Sequence, residues 1–236
     1  MVDNLKKLLT PYNIPFKKLR CGKQGDGGYV VFDKDLDNIN TLYSYGINDD
    51  VSFDMDFIKR SNANVFMFDH TINKLPVINN RFNFIEEAGT TENINKHIRS
   101  FSPNNNNLFL KMDIEGCEWD IFNELDTTVL SKFQQIVIEF HNLEFLQNHC
   151  FGHLTNTYEK MSSIFLKLNT IFYLGHIHGN NCGGIKDIPN TIECTYIRKD
   201  MLNNIPEYEK QSYPITGIDY PNNPNIPEYT LNWWIK

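Results

Sequence analysis

The chain has 236 residues, 41% of them hydrophobic and 22% charged, with a formal net charge of −7. That length suits one domain with a full core, and the composition is ordinary for a globular protein. The acidic balance argues against broad phosphate-backbone binding, hence against nucleic acid as a partner, and no apolar run approaches the ~18 residues of a membrane span.

The opening stretch, "MVDNLKKLLTPY", lacks the long apolar core of a signal peptide and reads as a short amphipathic helix stopped before Pro11. Lys17, Lys18, Arg20 and Lys23 form a basic cluster that suits either one small anion or a solvated patch. "NTLYSYGI" (40–47) predicts a strand ending at a glycine, and "DDVSFDMDFIKRS" a helix with Asp49 or Asp50 as N-cap and Val51, Met55 and Ile58 on one face. "NVFMFDH" (64–70) and "FNFIEEAG" (82–89) predict two more strands, and "TENINKHIRSF" a helix with Ile94, Ile98 and Phe101 inward. "NLFLKMDIEG" (107–116) is a fourth strand, "CEWDIFNEL" a helix with Trp119 packed under it, and "QQIVIEFHNL" (134–143) a fifth strand. "TNTYEKMSSIFLKL" is a helix with Tyr158, Met161, Phe165 and Leu168 inward. "TIFYLGHIH" is a sixth strand, ending at His178, and "TIECTYIRKD" (191–200) the last. The remainder, rich in Pro, Asn and Tyr, is expected to wrap the surface, with Trp233 and Trp234 as a core plug or part of an interface.

Strands that alternate with helices and read as continuous apolar runs imply an α/β fold: a mostly parallel, seven-stranded, Rossmann-like sheet with helices on both faces. The expected layout is one domain, with an N-terminal segment (1–39), a core (40–200) and a tail (201–236). Five scattered cysteines without a CxxC pair argue against a disulfide framework or a cysteine zinc site and suit a reducing cytoplasm.

In open α/β sheets the ligand lies outside the carboxyl ends of the strands, so the chemistry is sought at Gly46, Asp69, 87–89, Asp113, His141 and His178. Asp69 suits the two ribose hydroxyls of an adenosine cofactor, or else a helix N-cap; Ala88, within "EEAG", would flank the adenine. Tyr45 and His70 join this candidate set by position, His70 with a plain surface role as its alternative. The turn "SYGINDD" is not a pyrophosphate loop, which favours S-adenosylmethionine over a nicotinamide cofactor.

At the acceptor end a simple alignment of strands four and five sets Lys111 beside Glu139, a buried ion pair, and Asp113 beside His141. Asp113, His141 and His178 would then meet in one pocket. There they could act as a base with its orienting carboxylate, as ligands of a divalent metal that acidifies the acceptor, or as structural groups. His176 lines or supports that pocket, and Asn180 and Asn181 could hold hydroxyls of a ligand or simply form a turn. His97, His149 and His153 read as surface or helix-end histidines.

The blocks "GKQGDGGYVV", "YSYGINDDVSFDMDF", "LKMDIEGCEWDIF", "VIEFHNL", "HGNN" and "ECTYIRKD" occur in an order that resembles FkbM-type methyltransferases, from about Lys18 to Asp200. The resemblance implies the class I methyltransferase fold, S-adenosylmethionine as cofactor, and methylation of hydroxyls of sugars or natural products. It would place Gly46 beside the methionine part, Asp69 on the ribose and Asp113 near the sulfonium, with "GDGGY", including Asp26 and Gly27, closing over the cofactor. A nucleotide-activated sugar, such as one bound for a surface polysaccharide, would draw on Lys18, Arg20 and Lys23, with Glu115 also in the acceptor set. The rival readings are a metal-dependent hydrolase and a binding module that holds the cofactor without catalysis.

Overall fold

The computed structural model describes residues 2–143, 158–185 and 188–235; Cys150, His149 and His153 lie outside them. Helix α1 (Val2–Leu8) precedes a small antiparallel sheet of β1 (Lys18–Cys21) and β2 (Tyr29–Phe32). Then follow β3 (Thr41–Tyr45), α2 (Ser52–Ile58), β4 (Asn64–Phe68), β5 (Phe82–Ile85), α3 (Thr91–Phe101) and β6 (Leu108–Met112). After these come α4 (Glu118–Glu124), α5 (Thr127–Leu130), β7 (Phe133–Phe140), α6 (Tyr158–Ile171), β8 (Phe172–Ile185) and β9 (Ile188–Arg198). The large sheet has seven strands in the order β5-β4-β3-β6-β7-β9-β8. The first five run parallel, and β9 is antiparallel to both its neighbours.

The apolar runs form this sheet because burial on two sides is the only place such sequences are stable. β3, β6 and β7 are buried along their whole length. The larger core cluster joins Leu5 of α1, Ile94 and Ile98 of α3, Trp119 and Phe122 of α4 and Met161, Phe165 and Leu168 of α6 to one set of strand side chains. The smaller joins Phe53 and Phe57 of α2 and Tyr29 and Val31 of β2 to another, including Phe109 and Val137. Each such side chain contributes about 1.5–3 kcal/mol by leaving water. The N-cap of α2 is Val51, not Asp49 or Asp50; Asp50 accepts from the Ser52 amide at 2.9 Å in the turn that leads into the helix.

Two expectations about registration are corrected. Lys111 pairs across the ladder with Val137, not Glu139. The observed register differs from the forecast by two residues, which keeps every side chain on its face and so leaves the apolar pattern unchanged. Lys111 instead gives its ammonium to the Gly46 carbonyl at 2.6 Å and lies 3.7 Å from Asp113. β8 also does not stop at His178. It runs on through "GNNCGG", paired with β9, and takes up its extra residues at register shifts after Leu174 and Asn180. The two histidines therefore stand inside a strand.

Residues 201–235 cross the surface as irregular chain and bury Tyr213, Asp219 and Leu231. Trp233 and Trp234 pack against the larger cluster, so the core-plug alternative holds.

Gly46, with φ of +78°, lets the turn after β3 touch the end of β6: a Cβ there would lie 1.6 Å from the Asp113 carbonyl oxygen. Gly46→Ala should cost about 3 kcal/mol or more, the sum of a left-handed alanine and an overpacked backbone contact. Denaturant unfolding of the two proteins measures it, and an unchanged midpoint would refute this packing.

Candidate active site at the carboxyl edge of the sheet

The chain leaves β3 for β4 and β5 on one side and returns to β6 and β7 on the other, so the strand order reverses between β3 and β6. A crevice opens at such a point in open α/β sheets. The loops around it hold backbone that L residues rarely adopt: Asn48 (φ 48°) after β3, Glu115 (φ 58°) after β6 and Asn142 (φ 64°) after β7. Each such residue costs about 1–2 kcal/mol, and such strain gathers at functional sites.

Asp69 stands at the end of β4 and shapes the turn after β3. Its Oδ2 accepts from the amides of Ile47 and Asn48, both at 2.8 Å, and its Oδ1 from the Thr71 amide at 2.7 Å and hydroxyl at 2.6 Å. Burial opposes ionisation, but these donors hold the carboxyl below its usual range. The helix N-cap alternative is not what the structure shows; the carboxylate pins a loop.

Asp113 and His141 come together. His141 Nε2 lies 3.7 Å from Asp113 and 3.6 Å from the exposed Glu115, while Nδ1 is 2.8 Å from Glu118. Glu118 is fully buried on α4 and also accepts from the Ile114 amide at 3.1 Å. Trp119 donates its indole N–H to the His141 carbonyl at 2.7 Å, so α4 fixes both backbone and ring. A carboxylate on Nδ1 selects the tautomer that leaves Nε2 as the acceptor. Burial draws the His141 pKa down, but the Glu118 bond and the charges of Glu118, Glu139 and Asp113 outweigh it and lift it to about 9.

Two residues of this site were not foreseen in it. Tyr29, on β2, places its hydroxyl 2.7 Å from Asp113 Oδ2 and 2.8 Å from Glu139 Oε2. Glu139 is buried, and its Oε1 accepts from Asn180 at 3.0 Å. The aromatic after "GDGG" was the available signal for Tyr29, and the buried "VIEF" run for Glu139. Ligand atoms of Asp113, Glu139 and His141 lie within 4.8 Å of one another, so geometry substitutes Glu139 for His178 in the expected cation set. The chemistry fits a cation poorly: Asp113 Oδ2 and both Glu139 oxygens are already engaged by Tyr29 and Asn180.

His178 lies in the same row but farther along the sheet. The ladders set Glu139 opposite Glu193, and Glu193 opposite His178. Its Nδ1 is 3.2 Å from Glu193 and its Nε2 3.2 Å from Glu228 of the tail. Burial lowers its pKa, but Glu193, Glu228 and Asp219 raise it to about 10, and with a carboxylate against each ring nitrogen neither is free to act as a base or a ligand. His176 is buried and bonds Asp219 of the tail at 2.8 Å; burial keeps it neutral despite that partner. Asn181 holds the tail carbonyls of Asn223 and Ile226 at 2.8 and 2.7 Å. The structure thus uses His176, His178 and Asn181 to anchor the tail, and Asn180 to hold Glu139.

The remaining candidates divide. Lys18 bonds the Tyr213 hydroxyl at 2.5 Å, and burial brings its pKa down to about 8 although Glu209 and Asp219 oppose this. Arg20 gives its guanidinium to the carbonyls of Lys23, Gly25 and Ile218, which closes the β1–β2 turn. Gly27 fits that turn against Asp50: a Cβ there would lie 2.3 Å from its carboxylate oxygen. Asp26 is exposed and meets Asn222 at 3.1 Å. Ala88 is half-buried and its carbonyl accepts from Asn93, while His70 is exposed. Tyr45 lies in the core with its hydroxyl 3.0 Å from His97 Nδ1. His97 is no surface histidine: it is buried, stacked on Phe68 at 4.0 Å, with Nε2 2.9 Å from Glu87.

Glu118→Gln removes the charge that holds His141. The His141 titration midpoint, followed by NMR, should fall by about 1–3 units, the usual effect of one opposite charge; an unmoved midpoint would mean that Glu118 does not set it.

A family profile described as "Methyltransferase FkbM domain" matches residues 15–170, which spans Tyr29, Asp69, Asp113, Glu139 and His141. No curated protein matches the chain significantly. The profile covers most of the chain, agrees with a seven-stranded, mostly parallel sheet, and bears out the resemblance read from the motifs: the chain belongs to the FkbM methyltransferase family.

Proposed function

We propose that this methyltransferase uses S-adenosylmethionine, with the class I arrangement, to methylate a hydroxyl oxygen of a sugar, free or nucleotide-activated, such as one destined for a surface polysaccharide. The observation that supports it best is the Glu118–His141–Asp113 set at the strand-order reversal, where a nitrogen of fixed tautomer faces a carboxylate. Carboxylates outnumber cations around this point, an excess that a sulfonium cation complements. When bound, the cofactor supplies a methyl group activated for in-line attack.

The chain's own residues supply the rest. A sugar hydroxyl holds its proton about as tightly as water, pKa about 15–16, so a base must take the proton during attack. His141 Nε2 is that base in the neutral fraction of the ring, which grows as pH rises towards 9, with Glu118 stabilising the imidazolium that forms and Asp113 orienting the hydroxyl. The Gly46 turn gives close backbone approach to the methionine part, and "EEAG", with Ala88, borders the adenine. A ribose contact at Asp69 requires the carboxylate to exchange one donor, and the exposed Thr71 hydroxyl is the one free to turn away. Lys18 and Arg20 are committed to internal bonds and Lys23 pairs with Asp50, which leaves the exposed Lys17 to meet a nucleotide phosphate. The hydrolase alternative loses its support to the family match, and the set at Asp113 works without a metal. Among the described residues no helix is long and apolar enough to cross a membrane. The free thiols of Cys21, Cys117, Cys182 and Cys194 suit a reducing cytoplasm.

Mass spectrometry of candidate sugars incubated with enzyme and S-adenosylmethionine should show addition of one methyl group, with or without chelator. His141→Ala should lower turnover about 10²–10⁴-fold, with cofactor affinity by calorimetry little changed. Below about pH 9 the wild-type kcat/KM should rise tenfold per unit, because only the neutral imidazole accepts the proton. Collapse of cofactor affinity in His141→Ala, or cofactor binding without a methylated product across the sugar classes, would refute the assignment.

A further inference from the structure

We propose that Glu139 is held as a neutral carboxylic acid whose proton is shared with Tyr29, and that this pair is a positioning device for Asp113. The argument begins with hydrogen counting. The Tyr29 oxygen touches Asp113 Oδ2 at 2.7 Å and Glu139 Oε2 at 2.8 Å, and a phenol has one hydrogen. With both carboxyls ionised, one of these contacts would set two lone pairs against each other at hydrogen-bond distance. One carboxyl must therefore hold a proton.

The surroundings select Glu139. Asp113 is 24% exposed and has two cationic neighbours, Lys111 at 3.7 Å and His141 at 3.7 Å. Glu139 is 3% exposed, and its hydrogen-bond partners are the neutral Tyr29 and Asn180. Directly across the β7–β9 ladder stands a second acid, Glu193, already occupied by His178 and Asn222. Like charges directly opposite on neighbouring strands repel. Burial, Asp113 and Glu193 push the Glu139 pKa up to about 8, with His141 and Asn180 opposing.

The proton order that satisfies every atom is Asn180 N–H to Glu139 Oε1, Glu139 Oε2–H to the Tyr29 oxygen, and Tyr29 O–H to Asp113 Oδ2. Asp113 is thereby pinned by one oxygen and presents the other, Oδ1, to His141 Nε2. That role rests on the reading of Asp113 and His141 as the acceptor end; the protonation state does not.

Three variants and one spectrum test it. Glu139→Gln replaces the neutral acid with a neutral amide that can still donate to Tyr29, and should keep kcat within about threefold of wild type. Glu139→Ala and Tyr29→Phe should each lower kcat about 10²-fold, the cost of misplacing a reacting group by about an ångström, with cofactor affinity unchanged. In the ligand-free protein at neutral pH, the infrared carbonyl band of a protonated carboxylic acid should be present in wild type and absent in Glu139→Gln. A proton bound more tightly by the folded state than by the unfolded chain stabilises the fold, and that stabilisation is lost as pH rises through the folded pKa. Between pH about 4.5 and about 8 the wild-type melting temperature should therefore fall relative to that of Glu139→Gln. A Glu139→Gln enzyme as impaired as Glu139→Ala would overturn the proposal, as would an infrared band that survives the substitution. Loss of activity in Glu139→Gln coupled to chelator-sensitive wild-type turnover would mark the carboxylate as a cation ligand instead. The infrared and melting measurements need no acceptor, so they decide the protonation state even if the sugar reading fails.

Discussion

A row of ionisable side chains lies across the middle of the large sheet. Asp113 follows the end of β6, Glu139 stands on β7, Glu193 on β9 and His178 on β8, and the ladders align them on one face. Groups this deep are stable only when each is paired or hydrogen-bonded. The sheet alone cannot do this, because the row holds three acids and one base. Tyr29 from the β1–β2 hairpin, and Asn222 and Glu228 from the tail, complete it. The requirement to satisfy one buried row thus explains why two segments outside the alternating core are folded onto it.

The hairpin and the tail are also joined to each other. Arg20 bonds the Ile218 carbonyl and lies over Tyr220, and Asn222 links Asp26 to Glu193. On its other side the hairpin turn rests on α2: the Gly22 amide bonds Asp56, the Lys23 amide bonds Ser52 and the Lys23 ammonium pairs with Asp50. Tyr29 is the first residue of β2 after that clamped turn. Its hydroxyl position, and through it the orientation of Asp113, therefore depends on contacts that do not touch Asp113.

Asp113 and His141 were legible as a pair because both follow apolar runs at the edge where parallel sheets bind ligands. Glu118, which fixes His141, was not, because "CEWDIF" gives a helix with an acid in its first turn and no sign that the acid turns inward. His178 was misread for a related reason. Glycine and asparagine after a histidine resemble a turn, yet pairing with β9 gave their backbone groups partners and the strand continued. His97 looked like a helix-face histidine until Phe68 and Tyr45 enclosed it.

The sequence by itself determined the alternation of strands and helices, the edge that brings Asp113 and His141 together and the family, since these follow from hydrophobic period and from motifs read along the chain. Only the tertiary structure decided the registers that moved Lys111 off Glu139, the tail that claimed His176, His178 and Asn181, and the phenol set between Asp113 and Glu139. Those features depend on contacts between residues as far as 110 positions apart. A two-residue change in strand register keeps every side chain on its face yet reassigns every such partner, and no local pattern in the chain encodes it.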